Sequence, residues 1–169
     1  MDTDFSALFS LALSSDPNTV NEIVSWNDKT EAYGLSLTPQ DAALLIKTRE
    51  EELRTSGRVE VGSGTIGKLI EAFSDSSYIS QRDYVGTMQQ LIEIFYEAKN
   101  ETENLISDDE LIAFLRDSFE TRCGGSLEAL ESRDVQKLAD NLRSGIKDYT
   151  NMNAGKDDEH VEEEYNEYE

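Results

Sequence analysis

Gly62-Ser63-Gly64-Thr65-Ile66-Gly67 spells a glycine pattern that, at the start of a helix, lets a phosphate approach backbone amides. That chemistry requires a buried hydrophobic strand before the glycines and further βαβ units after them. Here Arg58-Val59-Glu60-Val61 alternates only briefly, as a very short strand or an extended linker, and Leu69, Ile70 and Phe73 follow at helical spacing. The pattern is read as a flexible turn and helix start rather than a nucleotide site. A second pattern lies at 99–110, twelve residues between two helical stretches, with the spacing of a calcium loop. Glu101, Glu103, Ser107 and Glu110 fall at its third, fifth, ninth and twelfth positions, and Ile106 at its eighth. Lys99 stands where the first carboxylate belongs, and Asn104 replaces the glycine of the sharp turn. A positive charge at the first ligand position opposes a cation, and a capping box writes the same letters with no metal present. Residues 72–83 mimic the spacing again through Ile79, Ser80 and Asp83, but begin at Ala72.

Other reactive groups are isolated. Cys123 is the one cysteine, which excludes an internal disulfide and any multi-cysteine metal site. The one histidine, His160, lies in an acidic C-terminal stretch, so neither a cysteine–histidine dyad nor a serine triad has a base in the folded part. Asp108 and Asp109 are adjacent acids at a helix start, where the helix dipole already favours them. Arg49 falls among Ala42, Leu45, Ile46 and Leu53 on one helical face; it is read as an arginine that snorkels outward or pairs with a carboxylate, not as a site. His160 beside Asp157, Asp158 and Glu159, like Tyr165 and Tyr168 among glutamates, is read as part of a solvated tail. Asn100-Glu101-Thr102 matches the glycosylation triplet, which is idle without secretion. No catalytic, cofactor-binding or metal-ligating residue is assigned, and no cofactor is expected.

The elements that position these residues are helices. Ser80 precedes Asp83 by three and Ser107 precedes Glu110 by three, two capping boxes; Ile79 with Tyr84 and Ile106 with Leu111 stand as hydrophobic staples around them. From the first cap, Tyr84, Met88, Leu91 and Phe95 form one stripe, Val85, Ile92 and Tyr96 another, and Ile94 falls outside both. The spacing predicts a central helix packed on more than one side, wet mainly at Gln89, Gln90, Glu93 and Glu97. After the second cap Leu111, Ile112, Phe114, Leu115 and Phe119 give a wide apolar face.

Upstream, Phe5, Leu8, Phe9, Ala12 and Leu13 share a helical face within 3–14, and Asp16-Pro17 caps a helix containing Val20, Ile23 and Val24. Residues 27–37 show no sustained period and are expected to be loop. Thr38, Pro39 and Asp41 open a helix to about Thr55, with Gly57 as its stop. Downstream, Cys123-Gly124-Gly125 breaks the chain, Ser126 caps, and Leu127, Leu130, Val135, Leu138, Leu142, Ile146 and Tyr149 form the last stripe. The expected fold is all-α: a single-domain bundle over 1–150 of about six to seven helices, at most one very short strand near 58–61, and a disordered acidic tail at 151–169. No repeat at a solenoid period is present.

Charge bounds the partners. There are 36 acidic against 15 basic residues, a formal −21, and the last fourteen residues hold only eight of the acids. The rest of the chain still carries −14. Such a surface repels nucleic-acid phosphates and anionic lipids, so direct nucleic-acid or membrane binding is not expected; it suits a basic protein partner, or simply keeps the protein soluble. No apolar run approaches the roughly 18 residues of a membrane span, and acids stand where a signal peptide needs lysine or arginine, which makes the cytoplasm the expected location.

Several strings together are similar to an uncharacterised bacterial family of small acidic helical proteins, a domain of unknown function. They are Tyr33-Gly34-Leu35, Gly57-Arg58-Val59-Glu60, Ser77-Tyr78-Ile79, Phe95-Tyr96 with Lys99-Asn100-Glu101, Asp108-Asp109-Glu110-Leu111 and Gly124-Gly125-Ser126. The similarity spans 33–145 and implies a bacterial cytosolic protein, with no activity, ligand or catalytic residue attached. The functional expectation is a non-enzymatic interaction domain that meets a protein partner, for which the charge favours a basic one, through its acidic surface or its tail. Two alternatives stand beside it: a DNA mimic whose carboxylates imitate phosphates, and a degenerate EF-hand-like cation binder at 99–110. The sequence leaves oligomeric state open.

Overall fold

The structure, a computed structural model, describes residues 16–146. The helical face expected at 3–14, Tyr149, His160, Tyr165, Tyr168 and the whole 151–169 tail lie outside the described residues. Six helices follow one another: α1 (Pro17–Ser25), α2 (Pro39–Ser56), α3 (Gly64–Phe73), α4 (Tyr84–Glu101), α5 (Asp108–Glu120) and α6, a rod over 127–143. No strand occurs among the described residues. One helix organises the rest. α4 packs against α2, α3, α5 and α6, while α1 closes the far side on α2 and α3.

That position follows from the two stripes of α4. Tyr84, Met88, Leu91, Phe95, Ile92 and Tyr96 are all buried, and Ile94, outside both stripes, is buried too. Each such side chain contributes about 1.5–3 kcal/mol by leaving water. The core then extends through Leu45 and Leu53 of α2, Ile66, Leu69, Ile70 and Phe73 of α3, Leu111, Phe114, Leu115 and Phe119 of α5, and Leu130, Val135 and Leu138 of α6.

The caps are only partly as expected. Asp16 accepts from the Asn18 amide at 3.1 Å with Pro17 following. Thr38 and Asp41 form a complete box, each side chain bonded to the other's backbone N–H at 3.0 Å, and Gly57 ends α2 at φ +71°. At Ser107 half the box forms. Its hydroxyl accepts from the Glu110 amide at 3.2 Å, but the Glu110 carboxylate takes the hydroxyl's own proton at 2.9 Å instead of reaching back to the backbone. At Ser80 the box is absent. A 3₁₀ turn, Gln81–Asp83, intervenes and α4 starts one step later at Tyr84. The cause is distant: Gln81 accepts from the Ser36 amide at 2.7 Å and donates to the Ser36 carbonyl at 3.1 Å, which fixes this turn against the segment before α2.

The segment expected to be loop at 27–37 is partly helical. One turn, Asn27–Thr30, runs into a 3₁₀ turn, Glu31–Tyr33, which Gly34 ends at φ +76°. Asn27 holds it by clamping the Leu37 backbone, donating at 2.9 Å and accepting at 2.8 Å. So short a turn shows no apolar period. At 58–61 the linker alternative is the one realised: the segment is extended, unpaired, and leaves Val59 and Val61 about 90% exposed.

α6 is not a uniform helix. Leu127–Ala129, with Ser126 as its cap at 3.1 Å, gives way to a π-turn at Leu130–Asp134 and then to Val135–Arg143. The widened turn inserts one residue, which lets Leu130 and Val135 face the core although five positions separate them. Ile146, which the stripe would have placed inside, lies beyond the rod and is half exposed.

Candidate functional site

The glycine pattern at 62–67 has structural reasons at two of its glycines. Gly62 sits at φ +75°, a turn that disfavours any side chain. Gly67 faces Trp26, whose Nε1 would lie 2.9 Å from an added Cβ. Nor is the start of α3 clear for a phosphate, because hydroxyls there already hold carboxylates. Ser63 donates to the Glu22 carboxylate, Thr65 donates to Glu60 Oε1 at 2.9 Å, and Tyr96 donates to Glu60 Oε2 at 2.6 Å. Two carboxylates thus already stand at the positive end of the helix, where a phosphate would meet them as like charges. Burial and the bond to Glu60 together push the Tyr96 hydroxyl well above the ordinary tyrosine value.

Arg49 reaches the same knot from α2. Of the two outcomes expected for it the carboxylate pairing is the one realised: it is 3% exposed, pairs with Glu50 at 3.2 Å through Nη2, and donates to the Gly62 carbonyl through Nη1. Its Nε is buried with no acceptor among the described residues.

The 99–110 pattern does not form a twelve-residue loop. α4 continues to Glu101, so Lys99 and Asn100 are helical, and Lys99 Nζ pairs with Asp108 at 2.7 Å. Arg143 of α6 takes Glu101 at 3.0 Å and Glu103 at 3.4 Å, and Glu110 turns to Ser107. The would-be ligands are thereby committed within the protein, Glu101 and Glu103 to Arg143 and Glu110 to Ser107. Glu103 and Asn104 both take positive φ, 53° and 60°, in place of the missing glycine. Among the described residues no group of three or more His, Cys, Asp or Glu side chains is arranged to hold a metal ion.

Cys123 belongs to a buried ionic cluster. Asp134, 2% exposed on the π-turn, lies between Arg133 at 2.7 Å and Arg122 at 3.2 Å. Arg122 also donates to Ser118 at 2.9 Å and covers the Phe114 ring. Burial first, and the Asp134 charge second, push the Cys123 thiol up to about 11, so it is an unreactive thiol rather than a nucleophile.

The fourth constellation is a strip of carboxylates from three helices. A groove of about 230 Å³ between α4 and α6 is lined by Gln90, Glu93, Ile94, Leu127, Glu128 and Glu131, with no basic side chain among them. Glu97 lies next along α4. Burial raises its carboxyl to about 7, helped by Glu131 beside it and by the charges of Glu101 and Glu52. Glu52 of α2 is itself raised by burial and by Glu93 and Glu51. A pH dependence follows. Below 4.5 Glu97 is protonated whether folded or not; as pH rises to about 7 only the folded state keeps the proton, so folding loses stability across that window. After allowance for solvent screening the loss is about 1–2 kcal/mol. Urea unfolding of the parent and Glu97→Gln at pH 5 and pH 8 measures it: the variant is expected to lose less stability between the two, and equal losses would remove Glu97 as the cause.

A family model matches residues 22–148, from inside α1 to just past α6. The chain belongs to DUF6323, a family of unknown function. The DUF6323 match begins earlier and ends slightly later than the 33–145 expected from the strings. Neither a curated protein nor a solved structure matches the chain. Within the DUF6323 fold those strings meet in pairs: Arg58 donates to Asn100 at 3.0 Å, Glu60 accepts from Tyr96, and Lys99 pairs with Asp108. Gly125 makes room for Tyr78, whose ring an added Cβ would overlap. Among the described residues no helix is long and apolar enough to cross a membrane.

Residue spacing alone did not single out Glu60, Asp134, Glu97 or Glu131. For Glu60 a signal existed in the alternation at 58–61, once the polar set is taken as the inward one. For Asp134 it was the five-residue step from Leu130 to Val135.

Proposed function

We propose that this DUF6323 domain is a non-enzymatic interaction module that takes a basic segment of a protein partner on the strip formed by α4 and α6, with Glu52 of α2 at its edge. One observation carries the reading: Glu93, Glu128 and Glu131 surround Ile94 and Leu127 in a groove that no basic side chain lines. Several acids elsewhere have cations of their own, as with Asp75 and Arg116 at 2.6 Å or Asp109 and Lys68 at 2.8 Å. Here the counter-charge is missing. A lysine or arginine from outside would supply it, with an apolar neighbour resting on Ile94 and Leu127.

Binding of a fluorescent lysine- and leucine-containing amphipathic peptide tests this by anisotropy. Affinity is expected to fall with added salt, and the triple variant Glu93→Gln, Glu128→Gln, Glu131→Gln to bind about tenfold more weakly or worse, each removed pairing counting for roughly 0.2–1 kcal/mol. Unchanged affinity in that variant, with its helical circular dichroism intact, would place the basic partner elsewhere on the surface.

A further inference from the structure

We infer that the groove between α2 and the turn at 60–62 binds a small monocarboxylate, whose carboxylate lies on the Nε–Nη2 edge of Arg49. The groove encloses about 470 Å³, the size of a metabolite site, and Arg49 forms part of its wall. A guanidinium has five donors, and at 3% exposure it cannot satisfy the idle ones with bulk water. Nη1 is committed to the Gly62 carbonyl. The Nε–Nη2 edge is the fork that grips a carboxylate with two parallel bonds, and it is half used: Nη2 donates to Glu50 at 3.2 Å while Nε donates to nothing.

Glu50 shows that a carboxylate reaches this fork, and also that Glu50 is poorly suited to hold it. It is the next residue along the helix, its side chain is 50% exposed, and it touches one nitrogen only. A ligand carboxylate would take both nitrogens and release Glu50 to water. The rest of the lining selects the ligand. Asp16, Glu50 and Glu60 line the groove against Lys47, Arg49 and Arg54, so its charges already balance and a second negative charge on the ligand would go uncompensated, which disfavours phosphate. Arg54, exposed and with no ion pair among the described residues, offsets the first charge. Ile46 and the 90% exposed Val61 offer an apolar strip to the body of the molecule.

Hexanoate is the probe. The full chain, labelled with ¹⁵N, is titrated with sodium hexanoate and separately with inorganic phosphate while the Arg49 Nε–H resonance is followed. The expected result is a saturable shift with hexanoate at a dissociation constant of about 1 mM, and none with phosphate. Val61→Asp, at a position too exposed to affect folding, should weaken hexanoate at least fivefold; Glu50→Gln, which removes the internal competitor's charge, should strengthen it about twofold to fivefold. A saturable shift with phosphate in place of hexanoate, no shift with either, or hexanoate binding indifferent to both substitutions would each overturn the assignment.

Discussion

Asp134→Ala is expected to lower the unfolding free energy by about 3–5 kcal/mol, the cost of removing one partner from a buried ionic cluster. Asp134 is paired with Arg122, whose side chain is 15% exposed and which also has the Ser118 hydroxyl and the face of Phe114. Arg133, 55% exposed, can turn to solvent; Arg122 cannot do so without uncovering Phe114. The loss therefore comes from one stranded guanidinium rather than from two broken bonds. Urea unfolding at neutral pH gives the magnitude. A separate readout distinguishes the ionic role from simple packing: with Asp134 gone, the negative charge that helps to hold the Cys123 thiol up is absent. Cys123 should then react faster with a thiol reagent at pH 8 than it does in the parent, after correction for global unfolding. Asp134→Asn should fall between the two in stability. A loss below about 1 kcal/mol for the alanine variant would mean that Arg122 finds water at no penalty, and that the cluster is an ornament of the π-turn.

How much of this was legible beforehand depends on how local each cause is. Thr38 and Asp41, Asp16 with Pro17, Gly57 and Ser126 work within four residues of themselves, and each sits where its letters indicate. Ser80 carries the same letters as Ser107 and fails because Gln81 is bound to Ser36, forty-five positions away, an interaction no window on the sequence contains. The apolar stripes of α4 were sufficient to make it central, since a helix that is greasy on two sides must have neighbours on both. They could not say that Ile94 would face α6, because that face is completed by Leu127 from a different helix.

The candidate sites were harder. The glycines at 62–67 advertised a phosphate, and their actual reasons are a turn and an indole. Arg49 looked like an outlier on an aliphatic face; its burial follows from the Gly62 carbonyl, which reaches it only after the chain has turned back through 58–61. The alternation at 58–61 was visible, but its sense was inverted. Ordinarily valines go in and charges out; here Arg58 and Glu60 are held by Asn100 and Tyr96 of α4, and the valines face water.

Phe119→Ala is expected to cost about 3–5 kcal/mol, as truncation of a buried phenylalanine does, and toward the upper part of that range because two aromatic contacts go with it. Phe119, 1% exposed at the end of α5, meets Phe73 edge-on at 5.6 Å and Tyr78 at 5.9 Å. Tyr78 is half exposed and could follow the shrinking side chain, but its ring rests against Gly125, whose amide donates to the Phe119 carbonyl at 2.8 Å. The cavity therefore has little means of collapsing. Tyr78→Ala, by contrast, removes a ring already half in water and should cost about 1 kcal/mol. The difference between the two variants, read by urea unfolding, tests whether Phe119 is the hub. The same contact predicts where the damage spreads. The break at 123–125 ties the end of α5 to the start of α6, so amide exchange in Phe119→Ala should quicken across 127–134, ahead of α2 and α4. Those residues include Glu128, Glu131 and Asp134. A strip that needs three helices in register would then bind its basic peptide more weakly in Phe119→Ala although no acid has been touched; uniform exchange across the fold, with peptide affinity retained, would show that α6 is positioned from elsewhere.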